Sequence, residues 1–323
     1  MIQQQCSTGF ETINRGYNQV FQSGKLSIGL TVPVESYPHS PIPSMADHVE
    51  RIQQAERLGF AAVWLRDVPF NVPSFGDAGQ IYDPFVYLGF IAGLTESIGI
   101  GVASIILPLR HPAHVAKAAA SADALSNGRF LLGVASGDRP DEYPALDLPF
   151  ETRGENFRDS FAYIRHMAET NPDFENSYGH LKSDIDMLPK PTSGRIPLLV
   201  TGHSRQTPEW IAKNSDGWIL YPRNPSMQKA IVSDSKELVQ STGTRSLPIM
   251  QSLYLDLDED PNTDPKGIHL GFRSGTAYLL KHLTALEDAG INHVALNLRF
   301  NRARIETTLE RLADTVLPHF SAP

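Results

Sequence analysis

From residue 26 onward, hydrophobic positions switch between two periods in a regular rhythm. Residues 26–34, LSIGLTVPV, are a short apolar run with β-branched residues and a closing proline, the pattern of a buried strand. Residues 45–60, MADHVERIQQAERLGF, put Val49, Ile52, Ala55 and Leu58 at helical spacing, with Ser44 as a candidate N-cap and Gly59 as a C-cap. Strand 61–67, a helix from about Pro84 and strand 98–107 follow. The alternation then runs through helix 112–126 ended by Gly128, strand 129–136, helix 153–170, strand 196–202 and helix 208–214. It closes with strand 217–222, helix 225–242, strand 247–257, helix 275–290, strand 291–300 and helix 304–320. Residues 171–194 carry little apolar period, and residues 1–24 are a polar N-terminal extension with one short helix before the main fold.

Eight strands alternating with about eight helices imply parallel pairing through right-handed crossovers. That count predicts a single-domain (β/α)8 TIM barrel spanning 1–323, with function on the loops at the carboxyl ends of the strands. A doubly wound open sheet is the competing architecture. Its usual signatures are missing: no Gly-x-Gly-x-x-Gly follows the first strand, and no Gly-x-x-x-x-Gly-Lys-Ser/Thr occurs.

Composition narrows the partners. The chain is 41% hydrophobic and 20% charged with a net charge of −8, which argues against a nucleic-acid surface. The single cysteine, Cys6, excludes an internal disulfide. There is no apolar run of membrane-spanning length and no secretory leader pattern, so a soluble, cytoplasmic protein is expected.

One segment breaks the rhythm. WLRDVPFNVPSFGDAGQIYDPF, residues 64–85, has neither period, and falls after the second strand, on the expected catalytic face. Pro69, Pro73 and Pro84 restrict it, Gly76 and Gly79 allow turns, and Phe70, Phe75, Tyr82 and Phe85 supply apolar walls. Such a loop suits a pocket for a flat ligand; capping the barrel or packing a subunit interface is the plainer alternative.

The segments LGFAAVWLRDVP, GVASIILPLRHPAHVAKAAASADALSNGRFLLGVASGDRP and TGHSRQTPEWIAKNSDGWILYPR resemble the bacterial luciferase-like flavin monooxygenases, in particular their luciferase-type oxidoreductase branch. The resemblance runs from about residue 25 to 300, in the family's barrel order. It implies reduced FMN, or in some branches the deazaflavin F420, in the barrel mouth. VASIILPLRHP matches the family segment supporting the flavin ring, pointing to Ser104 and Ile105. GVASGDRP, with Ser136, Gly137 and Asp138, stands where many members have Gly-x-Gly-x-Gly-Trp; Ala135 and Asp138 depart from that pattern. Thr201, Gly202, His203 and Ser204 match the family's Gly-Gly-Ser-Ser turn, which would hold the flavin phosphate, with Thr201 and His203 replacing a glycine and a serine.

The physics of that turn stands beside the resemblance. A strand runs into Gly202-His203-Ser204-Arg205, and Thr207-Pro208 opens a helix as N-cap and N1. Backbone amides, a hydroxyl and a guanidinium at a helix start make an anion site, though an ordinary capped loop has the same sequence. Arg299, Asn301 and Arg302, after the last strand, are an alternative phosphate site.

Candidate chemistry is spread over several strand ends. His39 lies in the proline-rich loop after the first strand, and His111 in an Arg-His-Pro that the family shares; either is an acid–base candidate or an ordinary loop histidine. His111 and His114 lack the carboxylate spacing of a metalloprotease, so no metal is expected. Arg66, Asp67, Asp138 and Arg139 are strand-end charges that position a ligand or pair structurally, Arg66 with Asp138. Tyr221 and Arg223 offer an aromatic wall and a cation after the sixth strand.

The resemblance implies an FMN-dependent monooxygenase acting with O2 on a small organic substrate. A separate flavin reductase is expected, since no nicotinamide fingerprint is present. F420-dependent hydride transfer, and a flavin-binding barrel without turnover, are the alternatives within the family. Outside it, a cofactorless hydrolase would use Asp67 with Asp138, or His39. A homodimer is expected from the family's habit and from the aromatic segment Phe70–Phe85.

Overall fold

A computed structural model describes residues 9–182 and 184–320; Cys6 lies outside them. Eight parallel strands form the barrel: β1 Ser27–Thr31, β2 Ala62–Leu65, β3 Gly99–Ile106, β4 Phe130–Ala135, β5 Leu198–Thr201, β6 Gly217–Leu220, β7 Ile249–Leu257 and β8 His293–Asn297. Neighbours pair in chain order, and the ring closes where β8 lies beside β1, with His293 opposite Ser27. The open-sheet alternative is thereby excluded.

Proline sets several helix starts. Helices Pro84–Ala92, Pro112–Leu125, Pro208–Asn214 and Pro225–Thr242 each open on proline, whose missing N–H is an orphan there anyway. Asp83, His111, Thr207 and Asn224 cap them through side-chain acceptors. Ser44 does not cap its helix, which begins at His48. Glu35 captures the Ser44 amide and hydroxyl and the Met45 amide instead, at 2.9, 2.7 and 2.9 Å. Two antiparallel hairpins, 174–176 with 179–181 and 266–268 with 271–274, lie where the sequence has no usable period, because three- and four-residue strands are too short to carry one.

The segment before β1 is more than an extension. Ile13, Tyr17, Val20 and Phe21 plug the amino-terminal end of the barrel against Trp64, Leu131, Leu199, Ile219 and Met250. The Tyr17 hydroxyl donates to the Asp216 carbonyl at 2.7 Å, and Asn14 Nδ2 to the Phe130 carbonyl at 2.7 Å. Full burial of aromatic and aliphatic side chains contributes roughly 1.5–3 kcal/mol each, so this floor is part of the core. Beside it, His293 is fully buried. Trp64 Nε1 donates to its Nε2 at 2.8 Å and Ser27 Oγ lies 2.6 Å from its Nδ1. Burial pushes its pKa down to about 3, leaving the ring neutral. With the floor filled, the free end of the barrel is the carboxyl end. No helix among the described residues is long and apolar enough to cross a membrane.

Candidate active site at the barrel mouth

A cleft of about 270 Å3 opens where β2, β3, β4, β5 and β6 end. Arg66, Ser104, Ser136, Glu142, His203 and Tyr221 are among its lining residues. A second hollow of about 200 Å3 descends along the barrel axis between Trp64, Ile219, Met250, Tyr254 and Asn297, and shares Arg66, Ala103, Thr201 and Tyr221 with the cleft. A polar rim over an apolar shaft at the carboxyl ends of the strands is the usual ligand position of this architecture. A hollow of about 190 Å3 at the opposite end has no carboxylate or histidine in its lining.

The irregular loop after β2 is held by charge. Arg66 donates to Asp77 from both terminal nitrogens, at 2.8 and 3.2 Å, and to the Tyr37 hydroxyl at 3.2 Å. Arg299 reaches the same carboxylate at 3.1 Å and donates to the carbonyls of Ser40 and Gly76. Burial favours the neutral acid, yet Arg66, the Gly79 amide and Arg299 together hold the Asp77 carboxyl below the usual range. Two arginines on one carboxylate thus tie the loops after β1, β2 and β8 into one wall. Asp67 is committed in the same way: Arg110 grips both its oxygens at 3.0 and 2.7 Å, and the Ile106 amide donates at 3.1 Å.

The turn after β5 offers free donors. Gly202, Ser204 and Arg205 have φ values of +54°, +46° and +62°. Among the described residues, the amides of His203, Ser204 and Arg205 meet no acceptor. Successive amides freed by left-handed residues make an anion-binding concavity. A Cβ built on Gly202 would meet nothing within 4 Å, so the space beside the first residue of this turn is open. The Ser204 hydroxyl is occupied within the protein: it donates to the Thr201 carbonyl at 2.8 Å and accepts from the Ser136 amide at 3.3 Å. It shapes the turn, and the donors left for a ligand are backbone N–H groups.

The β4 end supplies the opposite wall. Gly137 has φ +77°, and a Cβ there would meet Ile106 Cγ2 at 2.8 Å and the Tyr143 hydroxyl at 3.0 Å, so only glycine fits. The Tyr221 hydroxyl donates to Asp138 at 3.1 Å across the cleft. Arg139 lies over the Phe75 ring at 4.6 Å, which brings the β2 loop to the β4 loop. Glu142 is 2% exposed, and its Oε1 sits 3.6 Å from Arg139, buried and with no hydrogen bond. Burial, with Asp67 and Asp138 nearby, pushes its pKa up to about 7 against the opposing pull of Arg139.

The structure brings together Arg66, Ser104, Ser136, Gly137, Asp138, Thr201, Gly202, His203, Ser204 and Tyr221 at the cleft. Asp67 also lines it, with its carboxylate turned to Arg110. The Ala103–Ser104 peptide is cis, and Ser104 bonds the Thr201 hydroxyl. Ile105 is fully buried in the core outside the barrel wall with Ile100 and Val102, because the register of β3 shifts between Val102 and Ile105 and reverses the alternation of its side chains; Ile106 lines the cleft instead. His39 is exposed away from the cleft lining, and His111 caps its helix among His114, Tyr163 and Tyr178. The expected Arg66–Asp138 pair is not formed, because Asp77 lies nearer to Arg66 and Asp138 turns to Tyr221. The alternative phosphate site is spent on the protein itself: Arg299 on Asp77, Asn301 on the Leu257 amide and Thr308, and Arg302 on Asp256. Asp77, Tyr37 and Glu142 were not legible as site residues. Glu142 had one signal, a carboxylate between two prolines in a strand-end loop.

The profile of the luciferase-like monooxygenases matches residues 25–262, most of the chain. The chain belongs to that family. The alkanal monooxygenase beta chain of Photorhabdus luminescens is 33% identical over 176 residues, 53% of this chain and 51% of that protein. An uncharacterised Mycobacterium tuberculosis protein is 25% identical over 78% of this chain and 85% of its own length. Among solved structures, an F420-dependent secondary alcohol dehydrogenase with an F420–acetone adduct superposes with a TM-score of 0.74 at 18% identity, covering 92% of this chain and all of that one. The FMN-bound oxygenating constituent of 3,6-diketocamphane monooxygenase from Pseudomonas putida gives 0.69 at 14%, covering 93% of this chain and all of that one. Both likenesses establish the shared barrel. Family membership makes the chain a luciferase-like oxidoreductase.

Proposed function

We propose that this luciferase-like protein is an FMN-dependent monooxygenase that acts with O2 on a small organic substrate. The observation that carries the reading is the row of three unpaired amides at His203, Ser204 and Arg205, the first two in residues that line the mouth cleft. They fit a phosphate: the φ values aim successive donors together, and the space before Gly202 is open. The competing cations at Arg299 and Arg302 are already bound to carboxylates. Reduced flavin, when bound, supplies the electrons that activate O2. The chain's own groups do the rest. The 203–205 turn binds the phosphate, Tyr221 and Asp138 bound one side of the cleft, and the Phe75–Arg139 contact draws two loops over it and limits water. The substrate has the axial hollow beneath, whose largely apolar wall suits a small organic molecule.

The activities of the fold neighbours support one second reading. An F420-dependent alcohol dehydrogenase and an F420-dependent tetrahydromethanopterin reductase superpose as well as the FMN enzyme does. Under it, the same cleft serves direct hydride transfer. Two partners complete the first reading. A separate reductase supplies the reduced flavin, and a second copy of the chain covers the exposed face of Val86, Phe90 and Leu94 on and just beyond helix Pro84–Ala92.

Calorimetric titration with FMN, riboflavin and F420 tests the cofactor. FMN is expected to bind at least tenfold more tightly than riboflavin, because a charge-assisted hydrogen bond contributes about 1.5–3 kcal/mol. Ser204→Ala, which loosens the turn, narrows that ratio. Equal affinities for FMN and riboflavin would remove the phosphate from the 203–205 turn, and tight F420 with weak FMN binding would select the second reading.

A further inference from the structure

We propose that Glu142 is the group that exchanges a proton with the ligand held in the mouth cleft. The inference rests on the reading of that cleft as a cofactor site. Its basis is a contrast within the molecule. Seven carboxylates are buried among the described residues: Glu35, Asp67, Asp77, Asp123, Glu142, Asp216 and Asp256. Six gather hydrogen bonds. Ser44 and Met45 donate to Glu35, Arg110 and Ile106 to Asp67, and Arg66 and Gly79 to Asp77. Asn14 and Thr192 donate to Asp123, Leu198 and Arg245 to Asp216, and the Arg302 amide to Asp256. Glu142 receives none, and of the seven it shares only with Asp67 a place in the cleft lining.

A buried carboxylate without donors is costly when charged, and a structural role does not account for it. Its nearest cation, Arg139, stops at 3.6 Å and leaves its own NH1 unpaired, held instead over Phe75. Two orphaned polar groups face each other at the edge of the cleft, where a ligand atom can satisfy both. The charged and titratable groups around Glu142 are Arg139 and Asp138 on its own loop, and Tyr143, whose hydroxyl bonds the Ser136 carbonyl. From other elements come Arg66, Asp67 with its partner Arg110, His203, and Tyr221 on Asp138. Burial disfavours its anion most, Arg139 favours it, and Asp67 and Asp138 add to the effect of burial, so its proton is poised near neutrality.

In the exchange, the carboxyl O–H bond breaks as an O–H or N–H bond forms on the ligand. The resulting carboxylate faces Arg139, and water at the open side of the cleft returns the proton. The ligand class is therefore one that presents a proton-accepting oxygen or nitrogen of near-neutral basicity at the β4 end. No redox equivalent is consumed in this step.

The test uses the full chain and FMN as probe, with F420 as the second probe. Calorimetry in two buffers of different ionisation enthalpy counts protons taken up on binding between pH 6 and 8.5, for wild type, Glu142→Gln and Arg139→Ala. Wild type takes up a fraction of a proton, and its affinity rises as pH falls, by up to about tenfold for each pKa unit that binding displaces the carboxyl. Glu142→Gln binds FMN with that uptake and pH dependence removed; titration of the FMN phosphate is common to both proteins and cancels. Arg139→Ala moves the midpoint to higher pH, and this arm stands even if the glutamine variant does not fold. Identical proton counts and pH profiles in wild type and Glu142→Gln would overturn the proposal and leave the cofactor reading standing. Failure of both FMN and F420 to bind wild type would overturn both.

Discussion

Asp77→Asn removes one negative charge and keeps the side-chain shape, and it should be among the most damaging single changes outside the hydrophobic core. The Asp77 carboxylate takes Arg66 at 2.8 and 3.2 Å, Arg299 at 3.1 Å, the Tyr37 hydroxyl at 3.1 Å and the Gly79 amide at 3.0 Å. The side chains of Asp77, Arg66 and Arg299 are only 10%, 18% and 11% exposed. After substitution, two guanidinium groups remain in that site with no counter-charge. Removing one partner of a buried pair costs about 3–5 kcal/mol, against a total stability of roughly 5–15 kcal/mol for a native protein. Asp83→Asn is the matched control. Its ion pair with Arg110 involves a carboxylate 40% exposed, and asparagine caps the helix at Pro84 as well as aspartate does. That change should cost no more than about 1 kcal/mol. Guanidinium denaturation followed by tryptophan fluorescence measures both, and chymotrypsin cleavage at Phe70 and Phe75 reports whether the β2 loop has come loose. An Asp77→Asn protein within about 1 kcal/mol of wild type, with unchanged cleavage, would refute the argument that this carboxylate holds the wall together.

Three further outcomes are expected. The folded-state pKa of His293 lies near 3 against an ordinary 6.5, so its contribution to stability is full above pH 6.5 and lost as pH falls toward 3. That loss is on the order of a few kcal/mol and shows as a denaturation midpoint that drops over this window; His293→Gln should flatten the curve. Gly137→Ala puts a Cβ 2.8 Å from Ile106 at φ +77° and should weaken FMN binding and lower the melting temperature together; unchanged values for both would mean that the β4 turn relaxes freely. Light scattering of the wild type should give twice the 35.6 kDa chain mass and Val86→Glu the single mass, and a monomeric wild type would end the dimer proposal.

The barrel was legible in the order of periods along the chain. A buried parallel strand and an amphipathic helix leave different spacings, and eight alternations of the two fit few architectures. Helix starts at Pro84, Pro112, Pro208 and Pro225 were legible for the same local reason, since proline at N1 and a polar residue before it act within one turn. So was the turn at 202–204, because its Gly-His-Ser run and the helix cap at Thr207 are contiguous in the chain.

What the chain order does not carry is partnership. Ser44 was free to cap a helix until Glu35 took its amide and hydroxyl, and Arg66 could be matched with Asp138 until the loop carried Asp77 to it. The polar segment before β1 became the barrel floor because the strands left an apolar opening of its size. Ile105 and Ile106 are neighbours in sequence, and only the register shift in β3 sends the first to the core and the second to the cleft. Glu142 stands out only after every other buried carboxylate has found its donors. Tertiary structure decided these points because hydrogen bonds and ion pairs depend on distances of about 3 Å between residues far apart in the chain, whereas periodicity records only which face of an element turns inward.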